Sequence, residues 1–308
     1  MTSSHPTTLV VGSRTSKLAL WQTNHIIARL QTAWPDLNCR LQPFTTRGDQ
    51  TLHLPLPQIG GKGLFTAELE QALLAGEIDL AVHSLKDLPV TNTPGLTLGA
   101  ITGRADVRDA LVSAANWTLD TLPVGAVVGT SSIRRQAQLW AVRPDLTVRS
   151  IRGNVDTRLH KVEAGEYDAV VLAAAGLSRL ALGQGISQLL PLEQMMPAPG
   201  QGALAVQCRA DDALTLTRLR AIHDALTLAA VTAERAFLAG LGGGCAAPVA
   251  AYAAVTAGVI HLRGLVAAPD GTQLVRVAGQ GPNAAALGRQ LAQQALAEGA
   301  QEILAHVV

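Results

Sequence analysis

The chain predicts an α/β protein of two lobes around a cleft, followed by a small α+β domain at its carboxyl end. Three observations carry that expectation. Short apolar runs rich in branched residues alternate with amphipathic segments, the pattern of strand–helix units built on largely parallel sheets. Two breaks, one charged and one proline-rich, divide these elements, and the pattern changes again after residue 222. With 308 residues, 48% hydrophobic and 15% charged, the chain is about twice the usual domain length and apolar enough for more than one core.

Strands are expected at Thr8 to Gly12, Ile78 to Val82, Leu96 to Ile101, Ala126 to Gly129, Leu146 to Ile151, Ala169 to Ala173 and Ala203 to Gln207. Helical periodicity marks Ser16 to Ala33, Thr66 to Ala75 and Ile133 to Ala141. The charged stretch Thr102 to Asp109 and the run Pro191 to Gly200 are read as two crossings between lobes. Ala203 to Gln207 follows the second crossing and would return to the first sheet. The expected units are therefore 1–102 with 201–221, 103–200, and 222–308. In the last, Ala229 to Leu241 reads as a helix, Pro269, Asp270 and Gly271 as a hairpin turn, and the final helix runs from near Asn283 to Glu298. No long internal repeat or low-complexity tract stands out.

Net charge is +1, so no general basic excess points to nucleic acid or to a membrane surface. The start, MTSSHPTT, has no basic residue, and Leu9 to Val11 is too short for a signal-peptide core. The weakly polar stretch Ala246 to Ile260 is interrupted and shorter than a bilayer span. With three cysteines and no pairing logic, a cytoplasmic protein is expected.

Cys245 follows Gly242, Gly243 and Gly244 in LGGGCAAPVA. Glycines without Cβ atoms let a bulky group approach the thiol, which suggests an attachment point; a reduced packing cysteine in a flexible turn is the alternative that local sequence leaves open. GTSSIRR, Gly129 to Arg135, puts hydroxyls and two guanidiniums at a strand-to-helix junction, where free N–H groups and the helix dipole favour an anion. From Gly129 to Lys161 seven basic residues stand against two acidic ones. AVHSLKDLPV, Ala81 to Val90, sets His83, Ser84, Lys86 and Asp87 beyond a strand's carboxyl end, where open α/β sheets bind ligands. A surface ion pair between Lys86 and Asp87 is the plainer alternative. GSRTS (Gly12 to Ser16) follows the first strand, and GGKGLF (Gly60 to Phe65) offers Lys62 on a glycine loop. The eight histidines are scattered and neither HExxH nor CxxC occurs, so no metal site is expected. No phosphate loop or nucleophile elbow is present either.

GSRTSKLALWQ, GGKGLFTAELE, AVHSLKDLPV, GTSSIRRQAQL, RSIRGNVDTRL, LAAAGLSRL, PGQGALAVQCR and GGGCAAP stand in the order found in porphobilinogen deaminases, also called hydroxymethylbilane synthases, and the chain resembles that family from about residue 9 to residue 305. The resemblance implies two lobes like those of periplasmic binding proteins and a third domain bearing the cofactor cysteine. It implies head-to-tail condensation of four porphobilinogen molecules into hydroxymethylbilane, with loss of ammonia at each step. The primer would be a dipyrromethane joined by a thioether to Cys245. Asp87 matches the family's catalytic aspartate, which stabilises the azafulvenium cation left when ammonia departs. Arg14, Ser16, Lys86, Thr130, Ser132, Arg134, Arg135, Arg152, Arg158 and Arg179 match residues that hold cofactor, substrate or growing chain, and Lys62 matches a lysine on a loop near the cleft. Gln58 and Asp156 depart from the family pattern. The resemblance further implies a monomer, neither nucleic acid nor membrane as partner, and a product passed to uroporphyrinogen-III synthase. Two other readings of the residues stay open at this point: a non-catalytic solute-binding module, and a lyase using Lys86 as a Schiff base.

Overall fold

The computed structural model describes residues 8–46, 66–243 and 247–305. The first lobe opens with β1 (Thr8–Arg14), α1 (Lys17–Ala33) and β2 (Asn38–Phe44), then α2 (Ala67–Leu74), β3 (Leu80–Ser84) and β4 (Leu96–Ile101). The second holds β5 (Asp109–Ser113), β6 (Val127–Gly129), α3 (Ile133–Val142), β7 (Thr147–Arg149), α4 (Val155–Glu163), β8 (Ala169–Ala173), α5 (Ala174–Arg179) and β9 (Gln188–Leu189). The chain then crosses back as β10 (Leu204–Arg209) and α6 (Ala213–Leu219).

Both five-stranded sheets have one plan. The first runs β2-β1-β3-β10-β4 and the second β7-β6-β8-β5-β9. In each, three parallel strands are followed by an antiparallel strand that arrives from the crossing between lobes. The expected return of Ala203 to Gln207 to the first sheet is thus present: β10 pairs with β3 and β4.

The shared plan has a sequence counterpart that inspection of the chain for long repeats does not register. Val10-Val11-Gly12 lies in the middle of β1 and Val127-Val128-Gly129 makes up β6, and Ala75-Gly76-Glu77 and Ala164-Gly165-Glu166 precede β3 and β8. A Cβ on Gly12 would lie 2.4 Å from Ile78, and one on Gly129 would lie 3.0 Å from Tyr167, so each strand passes close under the next unit at its glycine. Asp79 and Asp168 each accept a backbone N–H of the neighbouring strand, at 2.9 Å from Val10 and 2.6 Å from Val127.

The expected strands and helices are all present with ends shifted by a few residues. Four strands were not expected, among them the first of the carboxyl-terminal unit, Val249–Thr256, which the sequence showed only as an interrupted weakly polar stretch. β2 lies at a sheet edge, is only half-buried and contains Pro43, which an edge tolerates. β5 begins at Asp109, the last residue of the charged stretch, and β9 is two residues long.

The carboxyl-terminal unit packs α7 (Ala225–Gly240) and α8 (Ala284–Ala295) on an antiparallel sheet of β11 (Val249–Thr256), β12 (Val259–Ala267) and β13 (Leu274–Gly281), and ends in α9 (Gln301–Ala305). Asp224 and Asn283 cap α7 and α8 through their side chains. The buried Phe237 ring lies where a Cβ on Gly264 would be 2.4 Å away, so the sheet receives the helix only because that residue is glycine. The expected turn at Pro269 to Gly271 joins β12 to β13, with Gly271 at φ 76°.

Candidate active site

β3 ends at Ser84 and the chain tightens into a 3-10 turn, Leu85–Asp87. Leu85 anchors that turn: it is fully buried, and its N–H donates to the Ala203 carbonyl at 3.0 Å. Arg235 on α7 anchors it from the other side, donating to the carbonyls of Leu85, Leu88 and Pro89 at 3.5, 3.2 and 2.6 Å. The turn therefore holds Asp87 exposed on a fixed support. Asp87 lines a pocket with Arg14, Ser16, Gln22, His83 and Ser84. Gln22 donates to the Ser84 hydroxyl at 2.9 Å, and Ser16 caps α1 by accepting from the Ala19 N–H at 3.3 Å. His83 is 6% exposed, its Nε2 has no partner, and burial reinforced by the Arg14 charge pushes its pKa down to about 4.

Lys86 points the other way, into the contact between lobes. Its Nζ donates to Gln201 Oε1 at 3.1 Å. Burial pushes its pKa down to about 8, against the pull of the neighbouring Asp87 carboxylate.

The second lobe meets this turn with cations. Arg134 and Arg135, in the first turn of α3, are 5% and 7% exposed and both reach Asp109. Arg134 donates to Asp109 Oδ2 at 2.9 Å and to the Met196 carbonyl at 2.6 Å; Arg135 donates to Asp109 Oδ1 and to the Val171 carbonyl at 2.7 and 2.9 Å. Burial alone would raise the Asp109 carboxyl pKa, yet the two guanidiniums hold it well below the ordinary range. The Nε of Arg135 is buried with no acceptor. Thr130 is buried and accepts from the Ser132 N–H at 3.2 Å, while the Ser132 hydroxyl makes no capping bond to α3.

Arg158 on α4 donates to the Gly153 carbonyl at 2.8 Å, and burial with the charges of Arg135 and Arg152 pushes its pKa down to about 10, opposed by Asp87 across the cleft. Arg179 donates to the Gly202 carbonyl at 2.8 Å and lies 6.0 Å from the Trp21 ring centre on α1. Asp156 forms a 2.6 Å ion pair with Lys17, so this departure from the family pattern bridges the amino ends of α4 and α1. Lys62, Gln58 and Cys245 lie outside the described residues.

Five residues of this assembly were not singled out as site residues: Asp109, Gln201, Arg104, Glu234 and Arg235. Glu234, fully buried on α7, binds Arg104 through two bonds of 2.6 and 2.9 Å and also accepts from the Gly200 and Ala253 N–H groups, both at 2.7 Å. It ties both crossings to the carboxyl-terminal sheet. The glycines flanking Gln201 in PGQG are the one local signal that could have marked it, since paired glycines point to close backbone approach.

A carboxylate-bearing primer needs fixed N–H donors, and the acceptor-free Arg135 Nε and the uncapped start of α3 supply donors of that kind. Among the described residues, no group of three or more His, Cys, Asp or Glu side chains could hold a metal ion, and no helix is long and apolar enough to cross a membrane.

Residues 9–217 match the family described as porphobilinogen deaminase, dipyromethane cofactor binding domain, and residues 228–297 match porphobilinogen deaminase, C-terminal domain. The chain is 50% identical over 299 residues to the porphobilinogen deaminase of Brevibacillus brevis, covering 97% of each, and 49% identical over 304 residues to that of Nitrosomonas europaea, covering 98% of this chain and 99% of the relative. Among solved structures, the methionine binding protein MetQ aligns with a TM-score of 0.45 at 14% identity, over 73% of this chain and 93% of that one. On the two domain matches and the near full-length identity to its relatives, the chain belongs to the porphobilinogen deaminase family.

Proposed function

We propose that the chain is a hydroxymethylbilane synthase, condensing four porphobilinogen molecules head to tail with release of ammonia, on a dipyrromethane primer held through a thioether by Cys245. The observation that carries this reading is the pocket in which Asp87, exposed on an anchored turn, meets Arg14 and Ser16. When bound, the dipyrromethane supplies the free pyrrole carbon to which the first substrate is joined. Asp87 is the catalytic residue: a fixed carboxylate facing the cation that porphobilinogen becomes on losing ammonia stabilises it more than the neutral substrate, which lowers the barrier. Arg14 and Ser16 hold the substrate beside Asp87 in the pocket they line. Thr130, Ser132, Arg134, Arg135, Arg152, Arg158 and Arg179, with Lys86, supply donors to the acetate and propionate groups that accumulate with each addition, and Lys62 contributes from its glycine loop.

The units of this enzyme are 1–102 with 201–221, 103–200 and 222–308. It works as a cytoplasmic monomer and passes its product to uroporphyrinogen-III synthase. The test is rapid-quench kinetics on Asp87→Asn protein whose intact mass shows the primer attached. Elongation should fall by about 10²- to 10³-fold with substrate still bound. Near wild-type elongation, or a failure confined to substrate binding, would reduce Asp87 to a positioning residue.

A further inference from the structure

The carboxamide of Gln201 is fully buried where both crossings and both lobes meet. Its Oε1 accepts from Lys86 Nζ at 3.1 Å, one residue from Asp87. Its Nε2 donates to the Val107 carbonyl at 2.7 Å and to Asp109 Oδ1 at 2.9 Å. That same Asp109 oxygen accepts from Arg135. The amide has one allowed orientation: flipped, its NH2 would face an ammonium and its oxygen would face a carbonyl and a carboxylate. Its backbone is equally constrained. Gly200 at φ 79° has no room for a Cβ beyond 3.0 Å from Leu85, and on Gly202 at φ 90° a Cβ would lie 2.6 Å from the Ala105 carbonyl oxygen. Arg104 Nε, whose guanidinium holds Glu234, donates to the Gln201 carbonyl at 2.9 Å.

We propose that Gln201 is a positioning residue of the condensation, setting Lys86 and the adjoining Asp87 turn in register with the Asp109–Arg134–Arg135 cluster across the lobes. The inference rests on the assignment of Asp87 and Lys86 to the site. One bond through Lys86 and one through Asp109 leave the two lobes no independent choice of side-chain geometry here. A displacement of about 1 Å at such a point costs about 10²-fold in rate.

The charges facing Lys86 are Asp87 on its own turn, Asp109 on β5, and Arg134 and Arg135 on α3. Replacing Gln201 by Glu keeps an acceptor for Lys86, adds a negative charge beside it and sets that charge against Asp109. Replacing it by Met removes all three side-chain bonds, to Lys86, Val107 and Asp109. Gln201→Met should lower kcat by about 10- to 100-fold with KM for porphobilinogen within about threefold, and move the alkaline limb of kcat to lower pH than in the wild type, because Lys86 loses the acceptor for its ammonium. Gln201→Glu should move that limb upward, because added negative charge holds the Lys86 proton. A merely structural residue would change melting temperature without moving the limb in opposite directions.

If Gln201→Met yields no folded protein, Gln201→Glu carries the test, since it keeps the side-chain length and an acceptor for Lys86. An unmoved alkaline limb in Gln201→Glu, or a change confined to KM, would overturn the proposal. Should the Gln201 variants keep wild-type kcat while Asp87→Asn does not elongate, only this inference fails; should Asp87→Asn elongate normally, the site assignment beneath it fails.

Discussion

The two lobes have one strand order, matching aspartate-to-strand bonds and matching left-handed glycines before the third strand, Gly76 at φ 73° and Gly165 at φ 74°, yet the strand ends carry opposite chemistry. In the first lobe the third strand runs into a 3-10 turn that exposes the Asp87 carboxylate. In the second, the helix after the first strand buries two guanidiniums against Asp109, an aspartate of the strand that crosses from the other lobe. A repeated frame thus offers a free anion on one side and compensated cations on the other. The difference lies in a handful of loop residues, because sheet order follows from strand patterning while site charge does not.

The comparison predicts that one substitution, aspartate to asparagine, has separate consequences in the two lobes. At Asp109 it leaves two buried guanidiniums without their counter-charge, and a loss of about 3–5 kcal/mol in stability is expected from urea unfolding. At Asp87, exposed, the unfolding midpoint should hardly move while catalysis falls. Equal stability losses at both positions would show that the cation pair is not tied to Asp109 in the way its geometry indicates.

A smaller effect tests how alike the frames are. Asp168→Ala strands the Val127 N–H, which costs about 1–3 kcal/mol. Asp79→Ala strands the Val10 N–H and also releases Arg209, which donates to Asp79 at 2.8 Å and to Asp212 at 3.1 Å, so its loss should be the larger. The two unfolding curves, measured under one condition, should rank in that order; the reverse ranking would break the equivalence.

The smallest effect belongs to Lys17 and Asp156, which are 78% and 41% exposed at the side chain. A double-mutant cycle with alanine at each position should return a coupling below about 1 kcal/mol that shrinks with added salt. A salt-independent coupling above that value would make the pair a latch between the lobes.

Much of this was legible before the fold. Branched apolar runs placed the central strands, Ser16 and Asn283 announced helix starts, and the eight ordered motifs placed the chain in its family. The half-exposed β2 was not legible, because an edge strand with Pro43 lacks the alternation that marks a core strand. Nor was Asp109, which in sequence is one charge among several in RADVRD and in the fold is fully buried. The short repeats around Gly12 and Gly129 and around Gly76 and Gly165 are visible in the letters, but they become a repeat only once the sheets show that they occupy equivalent places.

Local periodicity by itself determined the α/β class, the return of Ala203 to Gln207 to the first sheet and the helix-and-hairpin end. Tertiary structure alone decided which charges meet. Gln201 bonds to Lys86 across 115 positions and to Asp109 across 92, and Arg104 bonds to Glu234 across 130. Strand and helix signals repeat within a few residues because they reflect one element's burial. A polar partner is selected by which buried donor and acceptor the packed elements bring within about 3 Å, and that distance exists only after the chain has folded.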